Sequence, residues 1–220
     1  MALTKFNYNS FDVTSAASTA LGFNANANGF ATISPGSMTL IKTLTASSSA
    51  NLSFVDGSSD VVLDNTYPIY LFKIINCHPA SDDISFQFQG STNSGSSYGV
   101  TITSTHFRAT HGEDASSAAL AYITGGDLAQ STSYQLLAGS IGNDNDQSVS
   151  GNLFIFNPSS TTFAKHFIGN FQSIAHSNRT NNQYPAGYLN TTSAVDAFNF
   201  KFSSGNIDAG TIKLYGVKDS

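Results

Sequence analysis

Five histidines, His78, His106, His111, His166 and His176, are the side chains of this 220-residue chain best able to hold a metal or move a proton. They are scattered. His106 and His111 lie five apart, which puts them on opposite faces of a strand, and no spacing forces the three or four converging ligands that zinc needs. Asp144 and Asp146 alternate as in a calcium loop. The glycine at the sixth position and the glutamate at the twelfth are missing, so a polar turn is expected. Glu113 is the only glutamate, which leaves few carboxylate pairs for glycoside cleavage. The abundant serines include no Gly-x-Ser-x-Gly elbow, and no phosphate-binding glycine loop occurs. These absences point away from an enzyme, and no cofactor is expected. Tyr98, Tyr184 and Tyr188, in segments that read as polar loops, could serve as stacking platforms for sugar rings.

What must position these residues is a series of strands. Phe198, Phe200 and Phe202 alternate with Asn199, Lys201 and Ser203, placing three rings on one strand face. Ser204-Gly205-Asn206 is turn chemistry, and Thr211 to Val217 alternates again, so the chain is expected to end in a strand pair. Ile84, Phe86 and Phe88 alternate with Ser85, Gln87 and Gln89. Tyr67 to Asn76 is apolar at both parities and reads as a central strand covered on both sides. Strands are also read over Met38 to Thr45, Asn51 to Val55, Val61 to Leu63, Val100 to Phe107, Tyr134 to Ala138, Asn152 to Phe156 and Phe163 to Ile174. Ala115 to Ile123 could form a short helical turn, because alanine favours helix. Asn178 to Asn182 and Tyr184 to Gly187 read as a polar loop. Leu71 to Pro79 echoes Leu153 to Pro158, as though two sheets each contributed one such strand. Eight to ten strands at this spacing predict an all-β fold, a jelly-roll-like β-sandwich over residues 38–220. Residues 1–37, rich in Ala, Ser, Thr and Asn, are expected to form an extended N-terminal arm lying on a neighbour.

Composition narrows the partners. Charged residues are 10% of the chain against an average near 25%. Hydroxyls and amides take their place, and these cost less than charges to desolvate. Such a surface suits a protein that contacts neighbours over much of its area. Net charge is −5 and the nine Lys and Arg are dispersed, so nucleic acid is not an expected partner. No apolar run has the length of a membrane span, and the N-terminus lacks the apolar stretch of a signal peptide. The single cysteine, Cys77, rules out an intrachain disulfide and is expected to be buried.

Three stretches, Ile41 to Phe54, Ile84 to Tyr98 and Phe200 to Gly216, resemble structural proteins of tailed, especially marine, bacteriophages. The ending Ser203-Ser204-Gly205-Asn206-Ile207 followed by Leu214-Tyr215-Gly216 is the most specific. The resemblance implies a virion β-sandwich, oligomeric and often trimeric, with no active-site residues to carry over. The function expected on this basis is a capsid decoration or cement protein. Its partners would be its own copies and the major capsid or tail proteins. The alternative is a tail fibre or tail-tip module that binds host surface glycan.

Overall fold

The computed structural model describes residues 20–23, 30–33 and 37–218. The chain divides into two units, Met1–Thr39 and Leu40–Ser220. In the first, β1 (Ala20–Phe23) pairs antiparallel with β2 (Phe30–Ile33). Most of the expected arm otherwise lies outside the described residues.

The second unit is all-β, with no helix among the described residues. After β3 (Met38–Thr45) come β4 (Leu52–Val55), β5 (Ile69–Pro79), β6 (Ile84–Ser91), β7 (Ile102–Gly112) and β8 (Ala118–Tyr122). Then follow β9 (Gln135–Ile141), β10 (Val149–Phe156), β11 (Lys165–Ala175), β12 (Arg179–Leu189), β13 (Ala197–Phe202) and β14 (Ile207–Val217). One run of neighbours is β3-β14-β5-β10-β11-β12-β7-β8 and the other is β9-β6-β13-β4. The single pair Ala175↔Ile141 joins them, so the whole is one continuous sheet that curls until its inner faces meet.

The pairing is nested. β3 lies beside β14, β4 beside β13, β5 beside β10 and β6 beside β9. The two remaining hairpins interrupt this nest: β7–β8 falls between β6 and β9 in sequence, and β11–β12 between β10 and β13. Together they widen one half of the sheet by four strands.

Phenylalanine fills the space between the halves. Phe54, Phe72, Phe86, Phe88, Phe167, Phe198, Phe200 and Phe202 are all buried. Phe72 on β5 stands 5.2 Å from Phe54, 5.4 Å from Phe198 and 5.0 Å from Phe200. Phe88 and Phe167 meet edge-to-face at 5.1 Å. Burying one such ring contributes about 1.5–3 kcal/mol, and each favourable ring pair about 0.5–1.5 more. Cys77 is fully buried, and desolvation pushes its thiol up to about 12.

Several expectations need correction. β13 and β14 do not pair with each other. β13 lies between β6 and β4, and β14 between β3 and β5. The turn at Gly205, with φ of 70°, carries the chain from one half to the other. Alternation fixes the face a side chain takes, not the strand beside it. β5 and β10, the echoing segments, are direct neighbours in one half, with Leu71 opposite Phe154. β5 is fully covered on one face, where Tyr70, Phe72 and Ile74 are buried, and only partly on the other, where Leu71 is buried, Ile69 half-buried and Ile75 exposed. Val61 to Leu63 forms no strand, although Val61 and Leu63 are buried, and Leu63 donates its N–H to Asp56 Oδ1 at 2.8 Å. Ala115 to Ile123 forms no helix. Ala118–Tyr122 is the edge strand β8, because pairing with β7 overrides the helix preference of alanine.

Candidate functional site

The widened half carries an outer face that the sequence did not announce. On β11 the odd-numbered residues from Lys165 to Ala175 point inward and the even ones outward. Register then aligns the outward residues of the neighbouring strands. Ile168 is opposite Ala186, Tyr184 opposite Phe107, and Phe107 opposite Tyr122. Ile168, Phe107, Leu120, Tyr122 and Tyr184 are all exposed. Phe107 and Tyr184 stack face to face, centroids 4.8 Å apart and planes 11° apart.

Beside this ring pair lies a ladder of amides. Asn170 Nδ2 donates to Asn182 Oδ1 at 2.9 Å, and Asn182 Nδ2 to Gln172 Oε1 at 3.2 Å. Gln172 Nε2 in turn donates to the Thr180 hydroxyl. The outward positions of β11, β12 and the facing part of β7 hold no Asp, Glu, Lys or Arg. The face therefore offers flat apolar surface and neutral donors and acceptors, a combination suited to binding an uncharged ligand that is apolar on one side and hydroxylated on the other.

The three tyrosines singled out from sequence divide between two settings. Tyr98 is in a loop and lines a groove of about 370 Å³ with Ser91, Thr101 and Asn190. Tyr184 and Tyr188 are on strand β12, not in a loop. They share its outer face four residues apart, about 13 Å along the strand. Tyr188 lines a second groove of about 420 Å³ with Thr105, His166, Ile168 and Ala186, and its ring meets His166 edge-on. β12 escaped sequence reading because its inward residues are polar: Asn181 and Gln183 are buried. Phe107 was readable as the end of a strand, but nothing in its spacing links it to Tyr184, 77 positions away in the chain.

The histidines stay apart. His78 Nε2 lies 3.2 Å from the Asp144 carbonyl oxygen, and Nδ1 of exposed His176 lies 3.1 Å from Asp83 Oδ1. His111 and His106 take opposite faces of β7, the first exposed and the second fully buried. The ring packs against Gly126, and neither His106 nitrogen has a hydrogen-bond partner among the described residues. Desolvation holds the pKa of His106 below its ordinary value. Among the described residues no three His, Cys, Asp or Glu come together as metal ligands. The Asp144 to Asp146 segment closes as a turn in which the Gln147 N–H donates to the Asp144 carbonyl at 2.8 Å.

No protein-family model matches this chain, and neither a curated protein nor a solved structure does.

Proposed function

We propose that this chain is a non-enzymatic structural protein of a tailed-bacteriophage virion, a capsid decoration or cement protein that oligomerises and binds the particle surface. The observation that carries the reading is the nested pairing β3·β14, β4·β13, β5·β10 and β6·β9. Folding one long antiparallel ribbon over on itself gives that nest, and it is the strand order of an eight-stranded jelly-roll sandwich, an architecture at home in viral capsids and lectins. On this reading β7–β8 and β11–β12 are hairpins inserted into the jelly roll. The low-charge surface supports extensive contact with identical copies, expected as a trimer, and with the major capsid or tail proteins. Residues 1–37 would reach a neighbour as an arm. Quantitative proteomics of purified particles, with light scattering of the isolated protein, tests the proposal. Hundreds of copies per virion and a trimeric mass are expected; a few copies would move it to the tail, and none would end it. Deleting residues 1–37 should abolish attachment and leave the β unit folded, as read by circular dichroism.

A second reading, a tail module that binds host glycan, is favoured by the Phe107–Tyr184 stack and its amide ladder. A glycan array should then register binding that falls at least about tenfold in Tyr184→Ala. An array blank for both proteins would remove this reading.

A further inference from the structure

Among the described residues, nothing covers either face of the edge strand β8. All five residues of Ala118–Tyr122 are exposed, with Leu120 at 75% and Tyr122 at 54%. It carries no charge, no proline and no bulge, the usual guards on a free edge, and its register with β7 is unbroken.

The hydrogen-bond phase of this strand can be fixed. The Gly112 N–H donates to the Ser117 carbonyl, and the Ile123 N–H donates to the His106 carbonyl, each at 2.8 Å. In an antiparallel ladder bonded and non-bonded pairs alternate. Ser117, Ala119, Ala121 and Ile123 therefore bond to β7. The N–H and C=O groups of Ala118, Leu120 and Tyr122 point the other way, toward the open edge. Their side chains share the outer face with Phe107, since Tyr122 is opposite Phe107 and Leu120 opposite Ala109.

We infer that β8 pairs with β8 of a second copy, antiparallel about a two-fold axis at Leu120. That register uses every open group: Leu120 meets the partner's Leu120, and Ala118 meets the partner's Tyr122, as three bonded pairs. The side chains also fit, since each Tyr122 ring lies beside an alanine and the two Leu120 side chains touch. The Phe107–Tyr184 stacks of the two copies then stand on one continuous sheet face. A second copy is the occupant this edge selects, because a two-fold contact removes both open edges at once and the sequence of β8 complements itself. The contact area of five-residue strands and their flanking rings falls short of the roughly 800 Å² per partner of a stable free-standing complex. The pairing is accordingly weak in dilute solution and strengthens where copies are held close together. It is independent of the virion reading and holds for the chain in any setting.

Hydrogen exchange of the full chain, measured residue by residue across a concentration series, tests this directly. The amides of Ala118, Leu120 and Tyr122 should exchange freely when dilute and gain protection as concentration rises. Those of Ala119 and Ala121, already bonded to β7, should not depend on concentration. Sedimentation velocity should show self-association that Leu120→Lys weakens by about tenfold or more, with circular dichroism unchanged because the side chain is exposed. Concentration-independent exchange at all five residues would overturn the inference. So would undiminished association of Leu120→Lys, which would place any oligomer interface elsewhere.

Discussion

Two interiors coexist in this molecule. Between β4, β13 and β6 on one side and β5, β10 and β11 on the other, nine buried phenylalanine rings pack with no polar group needed to set their geometry. Beneath β7 and β12, and around the turns that join them to the rest, several of the buried side chains are amides. Gln183 takes the Gly139 N–H at 3.0 Å and donates to the Gly139 carbonyl at 3.3 Å, so one side chain stands in for a strand partner. Gln135 donates to the carbonyls of Gly126 and Leu136, each at 2.8 Å. Gln147 holds the Ala175 carbonyl and the Asn178 side chain. Even a lysine, Lys165, is buried here at the start of β11, donating to the carbonyls of Phe163 and Thr191, each at 3.0 Å. Burial lowers its pKa. The first interior is held by area and dispersion, which tolerate small shifts. The second is held by directed bonds, whose value depends on each being made.

The comparison predicts unequal losses. Phe72→Ala removes the ring that touches Phe54, Phe198 and Phe200, and should cost about 3–5 kcal/mol in denaturant unfolding. A loss under about 1 kcal/mol would mean that the rings do not carry the fold. Gln183→Leu keeps volume and strands both Gly139 groups, so about 1–3 kcal/mol should go. Its signature is location: amide protection should fall in β12 and β7 and persist in β5 and β10. Uniform loss across both regions would erase the distinction between the interiors.

This division also explains what could be read from the chain alone. The Phe-lined strands announced themselves, because apolar residues alternating with polar ones report a half-buried strand: β6, β13 and β14 lie where Ile84 to Phe88, Phe198 to Phe202 and Thr211 to Val217 placed them. β12 reads as a loop in the sequence because its buried residues include Asn181 and Gln183, and hydropathy cannot tell a buried amide from a solvated one. β8 leaves no trace in the sequence for the opposite reason, since no residue of it is buried and no pattern is imposed. The outer face inherits both blind spots. Tyr184 and Tyr188 stand out in the sequence as aromatic residues in polar surroundings, whereas their grouping with Phe107 and Ile168 depends on a three-strand register with no local trace.

A smaller effect concerns His106, enclosed in the amide-held interior near Arg108 and Asp127 and held neutral chiefly by desolvation. Its folded pKa lies below the ordinary 6.5 of the unfolded chain. The unfolded state therefore binds the extra proton first as pH falls. Stability from this group is complete above about pH 6.5 and is lost progressively as pH drops through that value toward the folded pKa. His106→Gln should flatten the stability profile below about pH 6.5, as measured by urea midpoints. A wild-type profile flat over that window would show that His106 titrates freely in the folded state.

The smallest expected effect separates the inner rings from the outer ones. Phe107 and Tyr184 are stacked as closely as any pair in the core, yet both are exposed, so their contact replaces water on one ring face only. A double-mutant cycle of Phe107→Ala and Tyr184→Ala should give a coupling of about 0.5 kcal/mol, against about 1–1.5 for Phe72 with Phe200. Exposed substitutions that touch no special feature shift stability by about 0.5 kcal/mol or less. If the outer pair couples that weakly, two large rings are held at the surface with little return in stability, and binding is the role left to account for them. A coupling equal to that of the core pair would instead make the outer stack a structural clamp between β7 and β12, and the argument for a binding face would lose its footing.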